Sequence, residues 1–134
     1  MIITGIIAGF TYLFGKPDSL LYTLALFIGL DYFTGVFVSV KLKMLSSKIS
    51  IKRIMKKLLI AVVIMIAVCI DHLNGAGNIF RTLACGFYIS NEGISILENI
   101  STLGVPVPKK LLNVLCELEG AECGNSDSGT KEEN

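Results

Sequence analysis

The sequence predicts an all-α membrane protein with about three transmembrane helices. A fourth, N-terminal apolar helix is expected at the interface or partly inserted, and a short amphipathic helix follows the last span. Three observations carry this reading. Apolar residues make up 52% of the 134-residue chain and charged residues only 17%, against roughly 25% charged in soluble domains. The apolar residues gather in long blocks, with the charges between them. Lys41, Lys43, Lys48, Lys52, Arg53, Lys56 and Lys57 form one basic cluster without an acid among them. Such a cluster next to a span orients a membrane protein. The formal net charge of +1 argues neither for nor against a nucleic-acid partner, and the flanking membrane segments already account for the basic run, so no nucleic acid is expected.

The first block, 2–14, would reach about 20 Å as a helix, short of a hydrocarbon core of about 30 Å. It is therefore expected to tilt or lie at the interface. No basic residue precedes it and no small-residue cleavage site follows, so it is expected to be retained. Pro17 ends continuation from this block, and Ser19 is placed to cap the next helix.

The second block, 20–40, would reach about 31 Å and can span. Its one charge, Asp31, sits near the middle. Ala25 with Gly29, and Gly35 with Ser39, form two pairs of small residues four apart, which let helix backbones approach. The basic run 41–57 reads as a cytoplasmic loop. Its second half can also begin the next helix, since Ile51, Ile54, Met55 and Leu58 share one helical face. The third block, 58–70, is strongly apolar. It spans if that basic stem supplies the remaining length, with Lys56 and Lys57 snorkelling to the interface.

Residues 71–78 form a turn without Lys or Arg, which suits the outer side. The fourth block, 79–100, is long enough to span but more polar. Arg81, Cys85, Tyr88, Glu92, Ser95 and Asn99 recur at steps of four and three, so they line one helical face. That face must meet protein or water. Gly104, Pro106 and Pro108 break the chain. Residues 109–119 read as an amphipathic helix, with Leu111, Leu112, Leu115 and Leu118 on one face. Residues 1–119 thus form one membrane domain, and 120–134 an acidic tail expected to be disordered. The C-terminus is expected in the cytoplasm, and the N-terminus outside if the first block does not cross.

A carboxylate in mid-bilayer costs roughly 3 kcal/mol on insertion scales. Asp31 and Glu92 lie at similar depths in their helices and can approach one another. They can share a proton or accept hydrogen bonds from Thr34, Asn91 or Ser95. Arg81 lies near the outer end of its helix and is expected to snorkel instead of pairing with Asp31. Thr34, Gly35, Tyr88, Asn91, Ser95, Glu98 and Asn99 complete the candidates for intramembrane contact and self-association. Cys69 and Cys85 lie in apolar runs and read as small hydrophobes. The chain has one histidine. It has no glycine-rich phosphate loop, nucleophile elbow or metal-ligand cluster, so neither an enzyme nor a cofactor is expected.

Three segments carry a resemblance. Leu30-Asp31-Tyr32-Phe33-Thr34-Gly35, then Asn91-Glu92-Gly93-Ile94-Ser95-Ile96-Leu97-Glu98-Asn99, then Gly104-Val105-Pro106-Val107-Pro108-Lys109-Lys110-Leu111 resemble the toxin-secretion/phage-lysis holin family in order and spacing. The resemblance covers roughly residues 20–118. The family pattern departs at the paired basic residues before Leu58, where a glycine is expected and this chain reads Ile51-Lys52-Arg53-Ile54-Met55-Lys56-Lys57. The resemblance implies a protein that accumulates and homo-oligomerises in the bacterial cytoplasmic membrane. It implies lesions that release an endolysin or a large toxin, without necessary direct contact with that cargo. The alternative is a membrane regulator or assembly subunit, such as an antiholin, that makes no hole itself.

Overall fold

The computed structural model describes residues 1–44, 46–75 and 77–120, and they are helical with short connections. The helices are α1 (Ile2–Phe14), α2 (Ser19–Lys41), α3 (Ser47–Asn74), α4 (Ile79–Thr102) and α5 (Lys109–Glu119). From residue 121 onward, the expected acidic tail lies outside the described residues.

Two helices start on side-chain caps. Asp18, not Ser19, caps α2: its carboxylate accepts from the Leu21 amide at 3.0 Å. Ser46 caps α3 in the same way, accepting from Ile49 at 3.3 Å. The basic run is thus not a loop to residue 57. The cap at Ser46 starts the helix early, and Lys48, Lys52, Arg53, Lys56 and Lys57 all ride on α3. Gly75 ends α3 in the left-handed conformation, at φ 61°. Asp71, in the last turn of α3, reaches forward to the start of α4, where its carboxylate accepts from the amides of Phe80 (2.9 Å) and Arg81 (2.8 Å). A carboxylate at a helix N-terminus satisfies amides that have no intrahelical acceptor.

α4 is the centre of the bundle. It packs most extensively on α2, then on α5 and α3, while α1 rests on α3. Leu24, Ile60, Ile64, Val68 and Cys85 form the apolar core, with Phe14, Leu20, Ile28 and Tyr88 against it. Gly35 and Ser39 are buried, so one small-residue pair is used within the chain. Ala25 and Gly29 face outward.

The bundle is inverted relative to a water-soluble protein. Asp71, Arg81, Ser90 and Glu92 are buried. Tyr22, Leu26, Phe33 and Phe37 of α2 are exposed, as are Leu58, Leu59 and Ile66 of α3 and most of the apolar surface of α1. Cys69 is also exposed, unlike Cys85. Continuous exposed apolar surface of this extent marks a contact with lipid or protein. By length and composition α2 is the clear candidate span among the described residues. α3 and α4 hold charged or polar groups within the length a crossing would use.

Candidate functional site

Two polar clusters fasten the helices, one near the start of α2 and one at its middle. The first is built on Arg81. Its guanidinium donates from Nε to the Phe14 carbonyl (2.6 Å) and from one terminal nitrogen to Asp18 Oδ2 (2.9 Å). The other terminal nitrogen reaches the Lys16 carbonyl (2.9 Å) and Asp18 Oδ1 (3.1 Å). Arg81 is only 2% exposed. It does not snorkel. The α1–α2 turn folds over it, and its planar fork matches a carboxylate and two carbonyls at once. Gly15 makes this approach possible. Its φ is 79°, and a Cβ there would stand 2.7 Å from Arg81 Nε. The Arg81 hydrogen bond, aided by the Leu21 amide, holds the Asp18 carboxyl down at about 2.

The second cluster is centred on Lys57. Its Nζ donates to Asp31 Oδ2 at 2.5 Å and also to Glu92 Oε2. Asn99 Nδ2 donates to Thr34 Oγ1 (3.0 Å) and to Asp31 Oδ1 (3.3 Å), and Thr34 Oγ1 donates to the Leu30 carbonyl (2.9 Å). α2, α3 and α4 each contribute at least one charged group. One ammonium serves two carboxyl groups. Beside it, Arg53 lies over Gly35: a Cβ on Gly35 would stand 2.6 Å from a guanidinium nitrogen.

The triad lines a cavity of about 630 Å³, together with Arg53, Lys56, Tyr88 and Ser95. Lys56, Leu59 and Asn91 also line it and are exposed, which locates its mouth between α3 and α4, with Glu98 on the same rim. Farther along, Lys41 Nζ donates to the Thr102 carbonyl at 2.7 Å, tying the end of α2 to that of α4.

The structure brings Asp31, Thr34, Glu92 and Asn99 together, and it places Arg81 apart from them. Arg81, Cys85 and Glu92 of the polar face are buried, and Tyr88, Ser95 and Asn99 half-buried. That face is covered in large part by the chain's own α1–α2 turn, α2 and α3, so a single copy already hides much of it. Asn91 and Glu98 are both exposed at the rim of the cavity. Lys43, Lys48, Lys52 and Lys56 are exposed, whereas Lys57 turns inward. Sequence reasoning placed Lys57 at the interface and did not single out Asp18 or Asp71. Among the described residues no group of side chains could hold a metal ion.

The comparisons agree with this picture. The model of the bacteriophage holin family matches residues 8–120. An uncharacterised 14.9 kDa protein in the nagH 3′ region of Clostridium perfringens is 53% identical over 110 residues, covering 81% of this chain and 83% of its own. A Listeria monocytogenes protein is 43% identical over 113 residues, with 84% and 81% covered. A probable holin of Bacillus phage phi105 is 34% identical over 108 residues, with 81% and 79% covered. No solved structure matches. On these matches, the chain belongs to the bacteriophage holin family.

Proposed function

We propose that this chain is a holin of a bacterial cytoplasmic membrane. It accumulates there, self-associates and opens lesions that let a peptidoglycan hydrolase, or a large toxin, leave the cytoplasm. The observation that carries the reading is the inverted bundle. Charged groups (Lys57, Asp31, Glu92 and Arg81) are satisfied inside it, and apolar side chains cover the outside. That is the arrangement a lipid solvent demands. Family membership and the similarity to a probable phage holin support the same role.

In this reading α2, α3 and α4 each cross the membrane, and α1 lies at the outer interface. The basic residues of 41–57 stay inside, which leaves the C-terminus in the cytoplasm. A single copy keeps its buried charges, Lys57, Asp31, Glu92 and Arg81, paired. Crowding lets copies exchange within-chain contacts for contacts with neighbours and with water. The cavity around Lys57 is where water first enters, because it is already polar and open to one side. Lesions then grow from assemblies of such wetted copies.

The test is induced expression of the chain alone in a bacterium, with a cytoplasmic reporter enzyme assayed in the medium at matched membrane levels. A holin arrests growth and releases the enzyme. Normal growth and full retention at high membrane level would contradict the proposal and favour a regulatory role such as that of an antiholin.

A further inference from the structure

The mouth of the Lys57 cavity carries polar groups that no partner within the described chain satisfies. Asn91 is the thirteenth residue of α4, about 18 Å from the helix start, which is mid-span. Its side chain is exposed, and none of the hydrogen bonds among the described residues involves it. Glu98, two turns farther along α4, is exposed and forms no ion pair among the described residues. Lys56, on α3 at the opposite lip, is exposed and likewise without an ion pair there. The three residues line one cavity.

Lipid cannot hydrogen-bond an amide at that depth, so something polar must cover the mouth. We infer that the cover is the same mouth on a second copy, with Glu98 of each chain against Lys56 of the other. This deepens the holin reading by assigning its self-association surface, and it rests on that reading. The lips have opposite character: α4 presents an acid and α3 a base. A two-fold axis parallel to the membrane normal and passing just outside the mouth sets the α4 lip of one copy against the α3 lip of the other. Acid then meets base twice, as an isologous interface requires. The two cavities close on each other into one polar chamber, and Asn91 and Ser95 face its interior instead of acyl chains. A lipid headgroup satisfies one lip at a time and leaves the mid-span amide bare.

Charge reversal separates pairing between chains from pairing within one. Glu98→Lys alone and Lys56→Glu alone each place like charges together at both contacts. Each is expected to lower cross-linked dimer in membranes by about tenfold at matched protein level. Two rescues follow. Carrying both reversals in one chain restores the dimer, and so does co-expressing the Glu98→Lys chain with the Lys56→Glu chain, to within about twofold of the parent. Rescue by the double variant without rescue by co-expression would assign the pair to a single chain and overturn the inference. Single reversals without effect would overturn it too. Either failure leaves the holin reading standing if the parent chain still kills, whereas a parent that never kills defeats that reading whatever the dimer yields show.

Discussion

The Arg81 clamp and the Lys57 triad are both buried cations held by acids, yet they are built differently. Arg81 has a carboxylate and two carbonyls for its fork, and Asp18 keeps contact with water. Lys57 has one ammonium for two acids, beside a cavity that water can fill. The clamp has one good geometry and closes the turn between α1 and α2 over the start of α4. The triad has fewer donors than its oxygens can accept, and three helices meet on it. A rigid fastening near the bundle's end and an adjustable one at its middle suit the proposed holin role, in which the chain would stay inserted and still rearrange.

Removing a cation should hurt most at the triad. Lys57→Met leaves Asp31 and Glu92 facing each other without compensation, a change that costs about 3–5 kcal/mol for a buried pair. The variant should accumulate poorly in the membrane fraction, as read by immunoblot after a chase. Adding Asp31→Asn and Glu92→Gln should restore accumulation, because the orphaned charges are then gone. If Lys57→Met accumulates like the parent, the triad does not hold the bundle.

At the clamp, Arg81→Lys keeps the charge and loses the fork. A loss of roughly 1.5–3 kcal/mol is expected from missing charge-assisted hydrogen bonds. Thermal unfolding in detergent should show it, and variants of the Lys57 cluster such as Asp31→Asn and Asn99→Ala should add to it independently. Asp18 gives the clamp a pH signature. The Arg81 guanidinium holds the Asp18 carboxyl at about 2, below the usual carboxyl value of 3.8. A depressed carboxyl stabilises above the unfolded value and loses that contribution as pH falls from near 4 toward 2. The melting temperature of the parent should therefore fall toward that of Asp18→Asn across this window and meet it at the acid end. A constant gap between them would remove Asp18 from the clamp.

The two crowded glycines sharpen the contrast at smaller scale. Gly15 has φ 79° and ψ −176°, a region that is essentially glycine's alone. Gly15→Ala should cost about 1–3 kcal/mol and loosen Arg81 as well. Gly35 is helical, and the atom nearest its missing Cβ is the far end of the Arg53 side chain. Gly35→Ala should move that guanidinium aside and change stability by less than about 1 kcal/mol. Melting temperatures of both variants check the order.

The sequence made the helices legible because long apolar blocks and basic flanks record the membrane directly. It also made Asp31 and Glu92 legible, since a charge inside an apolar block stands out and helix rise gives its depth. Lys57 was hidden among neighbours of its own kind: a lysine in a run of seven basic residues reads as topological. Its phase held the missing signal. Arg53, Lys57, Ile60, Ile64 and Ala67 follow steps of four and three, the same register as Arg81 to Asn99 on α4. Extending the apolar face of α3 backward through Ile60 points Lys57 into the bundle. Asp18 had no such signal. It meets Arg81 across 63 residues of chain, and only the folded turn brings them together.

In the proposed mechanism the polar groups around Lys57 are closed to water in the quiet state and wetted when lesions open. A cysteine at Ser95, on the cavity wall, tests it directly. A small membrane-permeant maleimide reacts with a thiol only where water reaches it, and labelling of the parent chain supplies the background from the native cysteines. Cells would be labelled early after induction and again at growth arrest, at equal membrane levels. Low labelling that rises several-fold at arrest is the expected result. Equal labelling at both times, high or low, would contradict the claim.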